Sequence, residues 1–218
     1  KEIVLLDKLA KILRENRFKH GSVNFETPEV RFKLDEEGTP IELVPKIRVD
    51  AHKMIEDFML LANKKVAEFI YNKKKGKDKL TMVYRVHENP DPEKLMDFAL
   101  FATRFGHNIS FETGSVSHTL NELTAEIEGK PEENVLQSLA IRAMSKARYS
   151  TDTIGHFGLG FAHYSHFTSP IRRYPDVMVH RLLEHYLNGG SDVEKELIDE
   201  KCVHASEREK AAAQAERA

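Results

Sequence analysis

The stretch GHFGLGFAHYSHFTSPIRRYPDVMVHR, residues Gly155–Arg181, decides how this chain is read. It holds four of the chain's eleven histidines: His156, His163, His166 and His180. From His156 to Tyr174 it also carries Phe157, Phe161, Tyr164, Phe167 and Tyr174, five residues drawn from a total of 12 Phe and 6 Tyr. An even spread over 218 residues would place fewer than two in that window, so the enrichment needs a reason. No period of 2 or 3.6 runs through the stretch before Ser169, which predicts a structured loop. Ser169-Pro170 then predicts a helix start, with Ser as N-cap and Pro at the first helical position. Arg172 and Arg173 fall in that first turn. A helix N-terminus already attracts anions, and two guanidiniums strengthen the attraction. Rings such as His166 and Tyr174 beside Arg172 and Arg173 suit a nucleic-acid strand, because rings stack on bases while arginine takes phosphates.

On the C-terminal side, the helix is expected to bury Val179, Leu182, Leu183, Tyr186 and Leu187 and to stop at Asn188-Gly189-Gly190. Pro175 should kink it or mark its true start. Ser191 and Glu194 form a capping box for a last helix rich in Ala and charge. On the N-terminal side, helices are predicted over His118–Ile127, closed by Gly129, and over Glu132–Ala147. Another runs from Pro90 and Pro92 through Phe101. TMVYRVHE reads as a strand by its Val and Tyr content, with Tyr84 and His87 on its face. The basic run Lys73–Lys79 reads as a solvated loop. Asp50 is a good N-cap for a long helix to about Asn72, with Ile55, Phe58, Met59, Ala62, Val66 and Phe69 on its core side. Glu56 and Asn63 lie seven apart, two turns, and share a face of it. GSVNFETPEVRFKLD and TPIELVPKI read as a strand pair around a Gly38 turn, with Phe25 as a strand core residue. Residues 2–17 read as an amphipathic helix that packs through Val4, Leu5, Leu9, Ile12 and Leu13. No repeat or low-complexity linker breaks the chain. One compact α+β domain, largely helical with a small sheet and no second domain, is the simplest reading of residues 1–218.

Composition narrows the function classes. A length of 218 residues with 40% hydrophobic and 31% charged residues fits a soluble globular chain able to bury a sizeable core. A net charge of −2 argues against a surface that grips nucleic acid everywhere and leaves room for a local basic funnel. The single cysteine, Cys202, rules out a disulfide framework and fits a reducing, cytoplasmic setting. No apolar run approaches membrane-spanning length, so no membrane partner is expected. Both ends read as cuts, because Lys1 opens in helical periodicity and Ala218 ends a helix with no stop signal. The chain is expected to be a piece of a longer, monomeric protein.

Common catalytic signatures are missing: no GxxxxGK phosphate loop, no HExxH and no CxxC. No tight Asp cluster occurs that would hold catalytic metals, and Asp91 beside Pro90 and Pro92 is a helix cap. His156, His163 and His166 are spaced by seven and three, which fits no common zinc site. Imidazoles bonded to the loop backbone explain them better. Arg172 and Arg173 could pair with Asp176 or Glu184 on the same helix instead of meeting phosphate, and Glu56 could be a solvated helix residue. From residues alone the chain looks like the binding and positioning half of something.

At HFTSPIRRYPDVMVHR (His166–Arg181) the sequence closely resembles the RNase II/RNase R family of 3′-to-5′ exoribonucleases. GHFGLGFAHYS, IEDFMLLANKKVAEF (Ile55–Phe69), YRVHENPDPEKL (Tyr84–Leu95) and the closing HASEREKAAAQAER extend the resemblance over nearly the whole chain. The histidine-rich loop before TSPIR places it nearer the family's RNase R branch. The resemblance implies a partial RNB-type catalytic domain from a processive enzyme. That enzyme would hydrolyse single-stranded RNA with Mg²⁺ to nucleoside 5′-monophosphates. It implies that Arg172 stabilises the scissile phosphate and that Glu56 contacts the sugar of the terminal nucleotide, with Asp57 a conservative change in the family's paired acids. It also implies that Glu216 influences RNA binding and that Phe25 wedges against a base. The family binds metal through Asp residues upstream of everything present here, so metal ligands are not expected in this chain, and the piece should be inactive alone. A non-catalytic RNA-binding module is the alternative, suggested by the missing Asp cluster. A protein-interaction scaffold is a third reading, suggested by the Ala-rich last helix.

Overall fold

The computed structural model describes residues 1–25, 30–45, 48–74, 79–111 and 115–216. Seven helices and four short strands follow one another among these residues: α1 Glu2–Lys19, β1 Val30–Leu34, β2 Pro40–Pro45, α2 Asp50–Lys73, β3 Tyr84–Val86, α3 Pro92–Thr103, α4 Val116–Ile127, α5 Glu133–Ala143, β4 Arg148–Ser150, α6 Tyr174–Leu187 and α7 Lys195–Ala215. The α+β reading holds. β1 and β2 form an antiparallel hairpin, and β3 pairs antiparallel with the distant β4, placing Arg85 opposite Tyr149. Parts of the predicted first strand and of the Lys73–Lys79 run lie outside the described residues.

Two cores carry the fold. The first gathers Ala67 and Ile70 of α2, Tyr84 and Val86 of β3, Tyr149 of β4, Val179, Leu182 and Tyr186 of α6, and Cys202 of α7. Burial pushes the Cys202 thiol up to about 12. The Tyr186 hydroxyl donates to the Thr81 carbonyl at 2.8 Å, and the Ser206 hydroxyl of α7 accepts the Tyr149 amide at 3.0 Å, so α6 is pinned to the segment leading into β3 and α7 to β4. The second core joins α3, α4 and α5 through Leu95, Phe98, Leu120, Leu123, Ile127 and Leu136.

Several elements differ from the sequence reading. α1 does not pack through its apolar stripe: Val4, Leu5, Leu9 and Ile12 are exposed, and Ala10 is its buried residue. Its inward face carries charge instead, because Arg14 and Arg17 reach Asp57, buried on α2. The buried stripe of α2 is turned accordingly, onto Asp57, Asn63, Ala67 and Ile70, and leaves Ile55 and Phe69 exposed. Leu187 of α6 is exposed as well. The strand over TMVYRVHE shrinks to Tyr84–Val86, and the helix drawn to Ala147 ends at Ala143, since Arg148–Ser150 leaves to pair with β3. Ser191 and Glu194 form no capping box. α7 starts at Lys195, and the turn before it is set by Asp192, which accepts the amides of Thr81 and Val193.

Candidate nucleic-acid interface

α6 begins at Tyr174, not at Ser169. Ser169 and Pro170 lead into a tight turn whose closing bonds run from the amides of Arg172 and Arg173 to the Ser169 carbonyl, at 3.3 and 3.1 Å. Pro175 sits in the first helical turn, where its missing N–H costs nothing, and so marks the true start. Asp176, wholly buried in that turn, ties the segment back: its Oδ1 accepts the Ser169 amide at 2.8 Å and Arg173 Nη2 at 2.9 Å. Arg173 Nε lies 2.8 Å from Oδ2, an ion contact outside hydrogen-bond geometry. Arg173 is therefore committed to Asp176. Arg172 is exposed on the turn, and its guanidinium has no hydrogen-bond or ion-pair partner among the described residues.

The loop before this turn is fixed from below. The Ser165 hydroxyl donates to the Val83 carbonyl at 2.6 Å, and the Arg85 amide donates to the Tyr164 carbonyl at 2.9 Å. His87 accepts the Gly158 amide at Nδ1 (3.0 Å), so its Nε2 carries the proton that bonds the Ser145 carbonyl (2.7 Å). Gly160 adopts a left-handed conformation, and a Cβ there would lie 2.7 Å from the His20 carbonyl oxygen and 2.8 Å from the Ser22 nitrogen. The histidines of the loop bond side-chain hydroxyls, not its backbone: His163 Nδ1 meets Thr153 Oγ1 at 2.9 Å, and His166 Nδ1 meets the Tyr149 hydroxyl at 2.9 Å. His156 packs edge-on to His87 and Tyr164. Burial, with Arg173 and Arg85 nearby, drives His166 down to about 2, and burial drives His156 down to about 3, so both rings are neutral.

A second group of predicted residues meets at a cleft of about 300 Å³, lined in part by Phe25, Arg48, Lys53, Glu56 and Asp57. Glu56 pairs with Arg48 at its mouth. Arg14, Arg17, Arg48 and Lys53 line this cleft against two carboxylates, an excess of positive charge suited to a polyanion. Phe25 borders the cleft but is no strand residue: it packs on the α3–α5 core just after Ser22–Asn24, which Asn121 of α4 clamps by taking the Asn24 amide and donating to the Ser22 carbonyl, each at 2.8 Å. Tyr174 is half-exposed on the first residue of α6, and Glu216 is exposed at the end of α7. Phe25 and Glu56 thus line one cleft, while Arg172, Arg173 and His166 share one loop with Tyr174 just after it at the start of α6; among the described contacts Glu216 belongs to neither group. A larger apolar cleft of about 970 Å³ beside α3 includes none of these residues.

The sequence reading offered Asp176 as a partner for the arginines, and Arg173 takes it, but Asn63, Arg14, Arg17 and Asn121 were missed as parts that hold the site. The shared face of Glu56 and Asn63 was the one available signal for the first of them. Among the described residues, no group of three or more His, Cys, Asp or Glu side chains could hold a metal ion. The acids nearest the site are each engaged by a guanidinium: Asp57 by Arg14, Glu56 by Arg48 and Asp176 by Arg173. They do not fit a Mg²⁺ site.

The RNB domain family profile matches residues 1–189. The chain belongs to the RNB domain family. Ribonuclease R of Aquifex aeolicus is 40% identical over 215 residues, which cover 97% of this RNB chain and 30% of the Aquifex protein. The RNB chain therefore spans about a third of that relative. Among solved structures, Mycoplasma genitalium RNase R in complex with ribose-methylated single-stranded RNA aligns with a TM-score of 0.88 at 28% identity, covering 99% of this chain and 34% of that one. Yeast Ssd1, described as a pseudonuclease, aligns with a TM-score of 0.62 at 26% identity over 73% of this chain and 20% of its own.

Proposed function

We propose that residues 1–218 are part of the RNB catalytic domain of a cytoplasmic, monomeric 3′-to-5′ exoribonuclease that processively hydrolyses single-stranded RNA to nucleoside 5′-monophosphates. The observation that carries this reading is the contrast between two adjacent arginines. Arg173 is spent on a buried carboxylate, while Arg172 is held out on the same immobilised turn with its donors free of described partners. An exposed guanidinium on a rigid turn is ready to bind a phosphate bidentately and to meet charge that builds as the phosphodiester breaks. Glu56, held by Arg48, would accept from a ribose 2′-OH, the group that separates RNA from DNA. Phe25 beside it would pack on a base, Tyr174 and His166 would offer rings beside the strand, and Arg173 and Glu216 would shape the surrounding field. Mg²⁺ would have to be held by residues outside this chain, so the isolated piece should be inactive.

The test is Arg172→Ala in the full-length protein, assayed on single-stranded RNA with a free 3′ end. Removing a donor of this kind costs on the order of 10²–10³ in turnover. Digestion at the unaltered rate would refute the assignment. The second reading, a non-catalytic RNA-binding module, is favoured by the likeness to a pseudonuclease and by the lack of a described metal-holding cluster in this chain. It predicts a full-length protein that binds single-stranded RNA and leaves it intact with Mg²⁺ present.

A further inference from the structure

We infer that Asn63 is a positioning residue for the exoribonuclease reaction, setting the spacing between the Glu56 wall and the Arg172 turn. The inference rests on the assignment of Arg172 to the scissile phosphate.

Asn63 is buried on α2, two turns after Glu56. Its Oδ1 accepts the Phe167 amide at 3.0 Å and the Thr168 amide at 3.1 Å, and its Nδ2 donates to the Tyr164 hydroxyl at 3.0 Å. Both lone pairs of one amide oxygen are thereby used on consecutive peptides. The Phe167 carbonyl is taken on its other side by His180 Nε2 at 2.8 Å, under a stacked ring pair with centroids 4.1 Å apart. The backbone at 167–168 is thus held by α2 and α6 together, four residues before Arg172. Glu56 sits about 10 Å up the same helix axis from Asn63. One side chain therefore fixes where the Arg172 turn stands relative to Glu56. Shifts near 1 Å at a reacting centre can cost about 10²-fold in rate.

The experiment uses the full-length protein on single-stranded RNA. Asn63→Leu keeps the branching and heavy-atom count and removes the acceptor; Asn63→Asp keeps an acceptor for both amides. We expect Asn63→Leu to lower kcat roughly 10- to 100-fold while KM moves less than about 3-fold, and Asn63→Asp to recover most of that loss. In an Arg172→Ala background, Asn63→Leu should cost little more, because it acts through Arg172. If Asn63→Leu does not fold, Asn63→Ser, too short to reach both amides, replaces it. Equal losses in Asn63→Leu and Asn63→Asp would overturn the inference. So would an undiminished Asn63→Leu effect on top of a crippled Arg172→Ala. A wild-type rate for Arg172→Ala alone would instead strike down the Arg172 reading, and the inference with it.

Discussion

Arg14 of α1 closes on Asp57 of α2 with two nitrogens, Nη2 at 2.7 Å and Nε at 3.0 Å from the same oxygen. Arg17 Nη2 stands 3.6 Å from the other oxygen. The joint between the two helices is therefore ionic at its centre. Asp57→Ala would strand two partly buried guanidiniums and should cost about 3 kcal/mol of stability. Urea unfolding measures it, and a loss under about 1 kcal/mol would show that α1 is held some other way.

The two neighbouring arginines should behave oppositely in stability. Arg173→Ala leaves the wholly buried Asp176 without its cation and should cost about 3 kcal/mol. Arg172→Ala removes an exposed side chain and should stay within about 0.5 kcal/mol of the parent. Thermal melts of both variants side by side check the order, and equal melts would contradict it.

Acid should destabilise the fold through its neutral histidines. His166 and His156 are depressed to about 2 and about 3, while in the unfolded chain they return to the ordinary value of 6.5. Their contribution is complete above pH 6.5. It is lost progressively as the pH falls from there towards their folded values, because only the unfolded chain takes up the protons. Each should add about 1.4 kcal/mol of loss per pH unit below that point. Protonating His87 would also cost it the Gly158 amide, since Nδ1 is the acceptor there. Stability curves between pH 7 and 4.5 should flatten in His166→Gln, and an unchanged slope would mean that the ring is not kept neutral.

Gly160→Ala should destabilise by about 2 kcal/mol. The left-handed conformation alone costs a residue with a Cβ about 1–2 kcal/mol. The added carbon would also press on backbone atoms of His20 and Ser22, which cannot swing away as a side chain would. A chemical denaturation midpoint equal to the parent's would disprove the close approach.

What could be read from residues, and what could not, divides along physical lines. Pro175 reads as either a kink or the true start of α6, and the start is what the fold uses, because proline leaves few choices of position. Ser169-Pro170 carried the same signal and was misread, since the Ser169 amide is claimed by Asp176 seven residues on, a tertiary bond that no local pattern encodes. Periodicity found α1 and α2, but their apolar stripes do not mark the faces that meet. The contact is made by Ala10, Arg14, Arg17 and Asp57, and hydrophobic patterning is blind to a buried ion pair. β4 is three residues long, too short for alternation to show. Arg172, Glu56 and Phe25 became candidates through a resemblance carried by their motifs. Asn63, which holds the backbone at 167–168, and Asn121, which holds Ser22 and Asn24, act across about a hundred residues of sequence and became visible only once the chain was folded.

The buried thiol of Cys202 has a practical consequence. Thiol-directed dyes react with the thiolate, and a side chain sealed in the core and pushed up to about 12 offers none at neutral pH. Within this chain the parent is already a silent background for labelling. A single Ile171→Cys change, at a side chain 97% exposed beside Arg172, would carry one fluorophore on the turn proposed to meet the RNA phosphate. Its emission would report whether RNA reaches this turn, independently of any bond cleavage.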